Sequence, residues 1–421
     1  MGHIKTKYTY VGIDSHSDTH TAVLLDCFFD KLGEAAFKNL PSCFPAFLEE
    51  AGRLRADGTE LLFGLEDTSS YGRTLALFLT ERGMRVKHVN AFLVAMERKN
   101  QTFTQKTDSV DAECAARVLL SKFDALPDAA PDSKQWALRT LVVRRAFIVK
   151  NNASLKNHLH SLLMQHYPNY RELFPEIDSK AAIAFFMRFP SPSALKGTPL
   201  KELAEFLREA SDGKVGAGKH SSLRAQEILD TLQNTSVPFQ EIRDESVRST
   251  LRQIQANIQE IEQLETSIAL FLEQFSCTLT SMNGIDVVSA AQMLSCIGDV
   301  KRFSTPAKLA RYAGIAPVTY ASGKKNLQFS NHRGNRELNS IFYLLAVRLI
   351  GSASGTVVNP FFYDYYRRKI SEGKTKKQAL KCVQRRLVNI VWTMLTRNEE
   401  YVNPPMFTLR KEGAVDGNAL E

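Results

Sequence analysis

The chain has 421 residues, 44% of them hydrophobic, with 54 Lys and Arg against 45 Asp and Glu for a formal net charge of +9. That length exceeds what one hydrophobic core serves and predicts two or three domains, and the basic balance favours a polyanionic partner wherever the charge is clustered. Six scattered cysteines (27, 43, 114, 277, 296, 382), with no C-x-x-C pair, argue against a disulfide framework or structural zinc. The N-terminus "MGHIKTKYTYVGID" lacks the apolar core of a signal peptide, and "IFYLLAVRLI" is too short to span a bilayer and contains Arg348. A soluble, cytoplasmic protein with no membrane partner is expected.

From Tyr8 to about Phe123, strand-like runs "YTYVGID", "HTAVLLD" and "EAAFKN" precede "SCFPAFLEEAGRL", "ELLFGLE", "YGRTLALFLTERG" and "MRVKHVN", and a helix starts at Asp108. Three strands followed by helix, strand, helix, strand and helix predict a mixed α/β domain over 1–130, ended by the Pro/Asp-rich "DALPDAAPDS" (124–133). Beyond it, "SKQWALRTLVVRRAFIVKNNASLKNHLHSLLMQHY" reads as one long helix. A helical insert at 170–235 follows, with "GKVGAGKH" (213–220) as a loop. In the second long helix Val247, Leu251, Ile254, Ile258 and Ile261 step by four and three, and Leu264, Ile268, Phe271 and Phe275 resume after a slip. Residues 131–275 are therefore a coiled-coil region, whose stripe fits an antiparallel partner in the same chain and a dimer seam equally well. Residues 276–405 read as a mostly helical domain interrupted by a polar loop, and 406–421 as a disordered tail.

Asp14 ends the first strand and Glu66 the fourth, and carboxylates at neighbouring strand ends converge. Asp108 and Asp111, at i and i+3, share a helix face. Each has an ordinary reading: Asp108 as an N-cap, Asp111 favouring the helix dipole, Asp14 and Glu66 as turn formers. Together they are four acids around one point, which repel unless divalent cations neutralise them. Oxygen ligands suit Mg²⁺ or Mn²⁺, and two such ions about 4 Å apart can clamp the attacking and leaving oxygens of a phosphodiester.

In "YASGKKNLQFSNHRGNREL", Ser322 stands among Lys324, Lys325, Arg333 and Arg336, cations able to receive phosphate oxygens, with Ser330 as a competing hydroxyl. "MNGIDVVSAAQMLSCIGD" (282–299) resembles a helix-hairpin-helix with Asp286 in place of its second turn glycine. Between Phe361 and Arg397 ten basic residues, Arg367, Arg368, Lys374, Lys377, Arg385 and Arg386 among them, face only Asp364 and Glu372. With Tyr363, Tyr365 and Tyr366 they predict a nucleic-acid surface, and Arg144 and Arg145 suggest a second.

These blocks resemble the DEDD transposases of the IS110 (IS1111) insertion-sequence family, relatives of the pilin-gene inverting site-specific invertases. "YVGIDSHSDTHTAVLLD", "GLEDTSSYG" and "KTDSVDAECAARVL" are similar to its acidic blocks, and "LARYAGIAPVTYASGKK", "SNHRGNRELNSIFYLLA" and "NPFFYDYYRRKISEGKTKKQALKCVQRRL" to its C-terminal transposase blocks. The resemblance implies an RNase H-like (RuvC-like) N-terminal fold with Asp14, Glu66, Asp108 and Asp111 as the metal-binding tetrad. It also implies Ser322 as a nucleophile that forms a transient phosphoserine link to double-stranded donor and target DNA, an element-encoded guide RNA, and a homo-dimer or tetramer. Two other readings compete: a metal-dependent nuclease in which water attacks, and a non-catalytic nucleic-acid scaffold. An actin-like phosphotransferase would need glycine turns that the sequence lacks, and no G-x-x-x-x-G-K-[ST] loop is present.

Overall fold

The structure, a computed structural model, describes residues 4–402 except 69, 101–105, 132, 168–169, 214–218, 231–237, 323–324, 330, 332–333 and 354–355; the side chains at 166, 219–221, 319–322, 325–328, 353 and 356 also lie outside the description. The chain falls into two compact units, one of residues 1–137, 294–312 and 316–331, the other of 138–293, 313–315 and 332–421.

The first unit is built on five strands, β1 (Tyr8–Ser15), β2 (Thr19–Leu25), β3 (Lys31–Lys38), β4 (Glu60–Leu65) and β5 (Arg85–His88), in spatial order β3-β2-β1-β4-β5. β1 runs antiparallel to β2 and parallel to β4, and β5 is parallel to β4. Helices cover both faces, so the central strands are buried on each side and read as apolar runs. Strand parity sorts their side chains. Val11, Ile13, Phe63 and Leu65 pack with Phe44 and Phe47 of α1 (Phe44–Leu54) and with Leu75 and Leu79 of α2 (Arg73–Glu81). Tyr8, Tyr10 and Leu62 pack on the other face with Val94 of α3 (Ala91–Asn100) and with Cys114, Val118 and Leu119 of α4 (Asp108–Lys122). The sequence reading lacked α3: it is weakly amphipathic and buries Val94 alone, so its pattern carries little helical signal.

The second unit is dominated by α5 (Lys134–His166). Short helices follow: α6 (Tyr170–Leu173), α7 (Lys180–Arg188), α8 (Pro192–Leu195), α9 (Leu200–Ala210) and α10 (Lys219–Asp230), and then the long α11 (Gln240–Leu272). The two long helices lie antiparallel. Arg145 of α5 donates to Glu265 of α11 at 2.8 and 2.5 Å, while Leu159 and Leu163, near the end of α5, share a buried cluster with Val247, Leu251 and Ile254, near the start of α11. The apolar stripe of α11 thus has a partner within the chain, and the insert helices complete its core through Phe185, Phe186, Leu203 and Leu207. Residues 214–218 of the expected loop lie outside the described residues.

The C-terminal part contains α12 (Val287–Ile297), α13 (Pro306–Tyr312), a hairpin of β6 (Val318–Ser322) and β7 (Lys325–Phe329), α14 (Arg336–Ile350), the short pair β8 (Ser352–Ala353) and β9 (Thr356–Val357), α15 (Pro360–Ser371) and α16 (Lys376–Arg397). The stretch read as a polar loop is therefore partly strand, because Val318, Tyr320, Leu327 and Phe329 alternate with polar residues at period two. At 282–299 only α12 is α-helical, preceded by a single 3-10 turn over Leu279–Ser281, so the helix-hairpin-helix reading is not met. There Asp286 accepts the Ser289 N–H at 2.7 Å and an Arg348 N–H at 3.2 Å, occupying an amide that a phosphate would need. No helix among the described residues is long and apolar enough to cross a membrane.

Candidate metal centre

Register brings the two strand-end acids together. Ile13 on β1 pairs with Leu65 on β4, and the Glu66 N–H donates to the Ile13 carbonyl at 3.5 Å, so Asp14 and Glu66 leave adjacent parallel strands side by side. Both continue the parity of Gly12 and Gly64, which are themselves register partners on the face covered by α4. Those glycines set the height of the helix. A Cβ on Gly12 would sit 2.2 Å from the Ala112 carbonyl oxygen and from the Ala116 nitrogen of α4, and one on Gly64 would sit 2.8 Å from Val89 and 3.0 Å from Leu119. Their bare backbone lets α4 approach until its first turn reaches the strand ends.

That first turn is capped by Thr107, whose hydroxyl accepts the Val110 N–H at 3.3 Å. Capping is therefore supplied by Thr107 and leaves the carboxylate of Asp108 for other work. Asp111, one turn on, is 8% exposed, and Asp14 is 9% exposed. His16, which the sequence reading passed over, bridges Asp14 and Asp108: its Nε2 lies 3.1 Å from Asp14 and 3.3 Å from Asp108. One ligand atom from each of Asp14, His16 and Asp108 lies within 4.8 Å of the others. Arg98 of α3 ion-pairs with Asp111. A D-x-H at a strand end could have flagged His16; Arg98 sits thirteen residues before Asp111 and gives no local signal.

The electrostatics place all four acids in one neighbourhood. Burial, joined by repulsion from Asp111 and Asp108, holds the Asp14 carboxyl above its ordinary value, with His16 opposing. Burial, joined by repulsion from Asp14 and Asp111, likewise raises Glu66, with Arg98 and Lys106 opposing. The sign of the linkage follows: raised acids bind more protons folded than unfolded, so they detract from stability as pH rises through and above their ordinary range. A cation bound there competes with protons. The rise in melting temperature caused by Mg²⁺ is therefore expected to be larger near pH 7.5 than near pH 5, measured by thermal denaturation of the intact chain.

Two strand-end acids, two helix acids and an imidazole suit a hard or borderline divalent ion, and an oxygen-rich set of this kind fits Mg²⁺ or Mn²⁺. Among the described residues, Asp14, His16 and Asp108 are the ones whose ligand atoms converge closely enough to hold it. The other predicted positions fare differently. Ser322 ends β6 opposite Lys325, with their side chains outside the description, and Lys324 and Arg333 lie outside the described residues. Arg336 is exposed at the start of α14, as are Arg367, Lys374 and Lys377 in and after α15. Arg386 lies over the rings of Phe361 and Tyr365, 4.7 and 5.0 Å from their centroids, and Arg368 over Tyr365, which turns that ring toward the chain's own cations. Burial lowers the Arg385 guanidinium from its ordinary value. Arg144 lies over Phe147, while Arg145 serves the α5–α11 pair.

A mixed sheet with acids gathered at its strand ends, in a basic and largely helical chain, is an arrangement suited to enzymes that act on nucleic-acid phosphates. Comparison with known proteins narrows it. Residues 11–168 match the DEDD IS110 transposase model and residues 277–367 the model described as "Transposase IS116/IS110/IS902 family", together more than half of the chain. The chain belongs to the IS110 family of transposases, enzymes of DNA recombination. It is 25% identical to an uncharacterized 44.8 kDa protein of insertion element IS116 from Streptomyces clavuligerus, over 95% of this chain and 97% of that one. It is 28% identical to the uncharacterized 43.6 kDa protein of IS110 from Streptomyces coelicolor, over 85% and 87%. A pilin gene-inverting protein of Moraxella bovis is 30% identical over 29% of this chain and 37% of its own length.

Proposed function

We propose that this transposase cuts and rejoins double-stranded DNA with Asp14, Glu66, Asp108 and Asp111 as metal ligands and Ser322 as nucleophile, on an RNase H-like domain, directed by a structured RNA from its own element. The observation that carries the reading is the convergence of Asp14, Glu66 and the first turn of α4 on one face of the sheet, with Asp14 and Asp108 both within 3.3 Å of one imidazole nitrogen. The strand order β3-β2-β1-β4-β5, with only β1, β4 and β5 parallel, supports the RNase H-like assignment. A divalent ion held there would supply Lewis acidity at the scissile phosphate and offset its developing charge.

The chain's own residues do the rest. The four carboxylates fix where the phosphate can sit. The Ser322 hydroxyl attacks phosphorus as the sugar oxygen leaves, and reversal on a second strand end restores a phosphodiester and frees the serine. The bond energy is kept, so rejoining needs no nucleotide cofactor. Exposed Arg336, Arg367, Lys374 and Lys377 support contacts to DNA or guide RNA, and the exposed Val143 and Phe147 of α5 support assembly as a homo-dimer or tetramer.

Ser322→Ala tests the serine. Both the covalent protein–DNA adduct, seen as a shifted band on a denaturing gel, and recombination are expected to vanish, while Mg²⁺ still raises the melting temperature. Strand cleavage persisting in that variant would mean that water attacks.

A further inference from the structure

Arg98 stands outside the blocks that carry the family resemblance, yet it reaches into the acidic centre. Its Nη1 donates to Asp111, a carboxylate one turn from Asp108 on α4. The pair is largely withdrawn from water: the Arg98 side chain is 25% exposed and that of Asp111 12%. The Arg98 charge also opposes the repulsion that Glu66 feels from Asp14 and Asp111. The helix that carries it buries little apolar surface. Val94 is its one fully buried residue, Leu93 packs half-buried against the same cluster, and Phe92 and Met96 are 49% and 40% exposed. Elements with so little buried apolar surface shift at small cost.

Four carboxylates gathered at one spot need positive charge whether or not an ion is bound. A guanidinium on Asp111 provides it in the metal-free protein, but it occupies lone pairs that a divalent ion would use. Once displaced it is well suited to another task, because its planar fork matches two oxygens of a phosphate. We propose that Arg98 is the resident counter-ion of the acidic centre: it holds Asp111 without metal, yields it to the divalent ion, and then grips a DNA phosphate oxygen beside the cut. On this account Arg98 touches the DNA itself, and the inference rests on reading the four acids as a metal site.

Titration of Mn²⁺ into the full chain without DNA, followed by calorimetry, tests it. Arg98→Gln removes the competitor and is expected to bind Mn²⁺ about tenfold more tightly than the wild type, while KM for donor DNA rises by about tenfold. Arg98→Lys keeps the charge without the fork, so its Mn²⁺ affinity is expected to fall between the two. It also carries the test should Arg98→Gln lose its cooperative melt. A purely structural tie between α3 and α4 predicts instead that Mn²⁺ binding in Arg98→Gln is unchanged or weaker, and that result overturns the proposal. Should the wild type and both variants all fail to bind Mn²⁺, the metal reading itself fails and the proposal falls with it.

Discussion

Asp14→Asn is expected to lower recombination by about 10³-fold or more, while the metal-free protein melts at the same temperature or higher. Asn has nearly the shape of Asp, so the packing at the end of β1 is kept. What changes is charge. Asp14 is nearly buried, repelled by Asp111 and Asp108, and held above its ordinary pKa chiefly by burial, so its ionised form detracts from the stability of the empty site. Removing that charge relieves the repulsion and also removes the carboxylate that faces His16. The readouts are joining of donor and target DNA, and melting curves with and without Mg²⁺; the Mg²⁺-dependent rise should shrink or disappear. Activity within tenfold of wild type would show that Asp14 is a turn former and no more.

Gly12→Ala is expected to be nearly as damaging for a different reason. Its new methyl would meet the Ala112 carbonyl oxygen and the Ala116 nitrogen at 2.2 Å, both backbone atoms of α4, which cannot rotate away. The helix must rise from the sheet, at a cost of about 3 kcal/mol from overpacking, or about 10 °C in the melting temperature of a domain this size. Because α4 carries Asp108 and Asp111, the same displacement parts them from Asp14 and Glu66, and recombination should fall with stability. Gly52→Ala serves as the control: it lies in α1 with nothing within 4 Å of its Cβ, and should be neutral or stabilising by about 0.5–1 kcal/mol. Equal melting temperatures for Gly12→Ala and wild type would refute the close approach.

The strand-end and helix-face positions of the expected acids were legible because they obey local rules. An apolar strand that ends in an acid places that acid at a sheet edge, and D-x-x-D on a helix places two acids on one face; neither inference needs tertiary knowledge. Strand parity carries further, since Tyr10 and Gly12 on β1 and Leu62 and Gly64 on β4 face α4, and Asp14 and Glu66 continue the same alternation at the strand ends. What escaped the sequence were close contacts set by how distant helices pack. The meaning of Gly12 and Gly64 depends on a helix about 100 and 50 residues away. The pairing of Arg98 with Asp111 depends on how α3 leans on α4, and α3 has too little amphipathic pattern to announce itself.

Elsewhere the ambiguity was physical. An apolar stripe states that it needs cover without naming the cover, so α11 read equally well as a seam between chains and as one half of an internal pair. Arg145 was assigned to nucleic acid on charge alone, and its bond to Glu265 gives it a role in joining α5 to α11. Tyr365 was read as a base platform by the same logic, although Arg368, Lys369 and Arg386 lie over it. Charge counts record a preference for anions and cannot tell whether that anion is a phosphate or a glutamate of the same chain.

The central claim is that clustered carboxylates at the ends of β1 and β4 hold the divalent ions used to cut DNA. Anomalous scattering from crystals soaked in Mn²⁺ tests it most directly. The account predicts manganese within bonding distance of Asp14 and at least two of Glu66, Asp108 and Asp111, with Asp111 no longer paired to Arg98. Manganese absent from that position, with His16 and Arg98 still seated on their carboxylates, would contradict it.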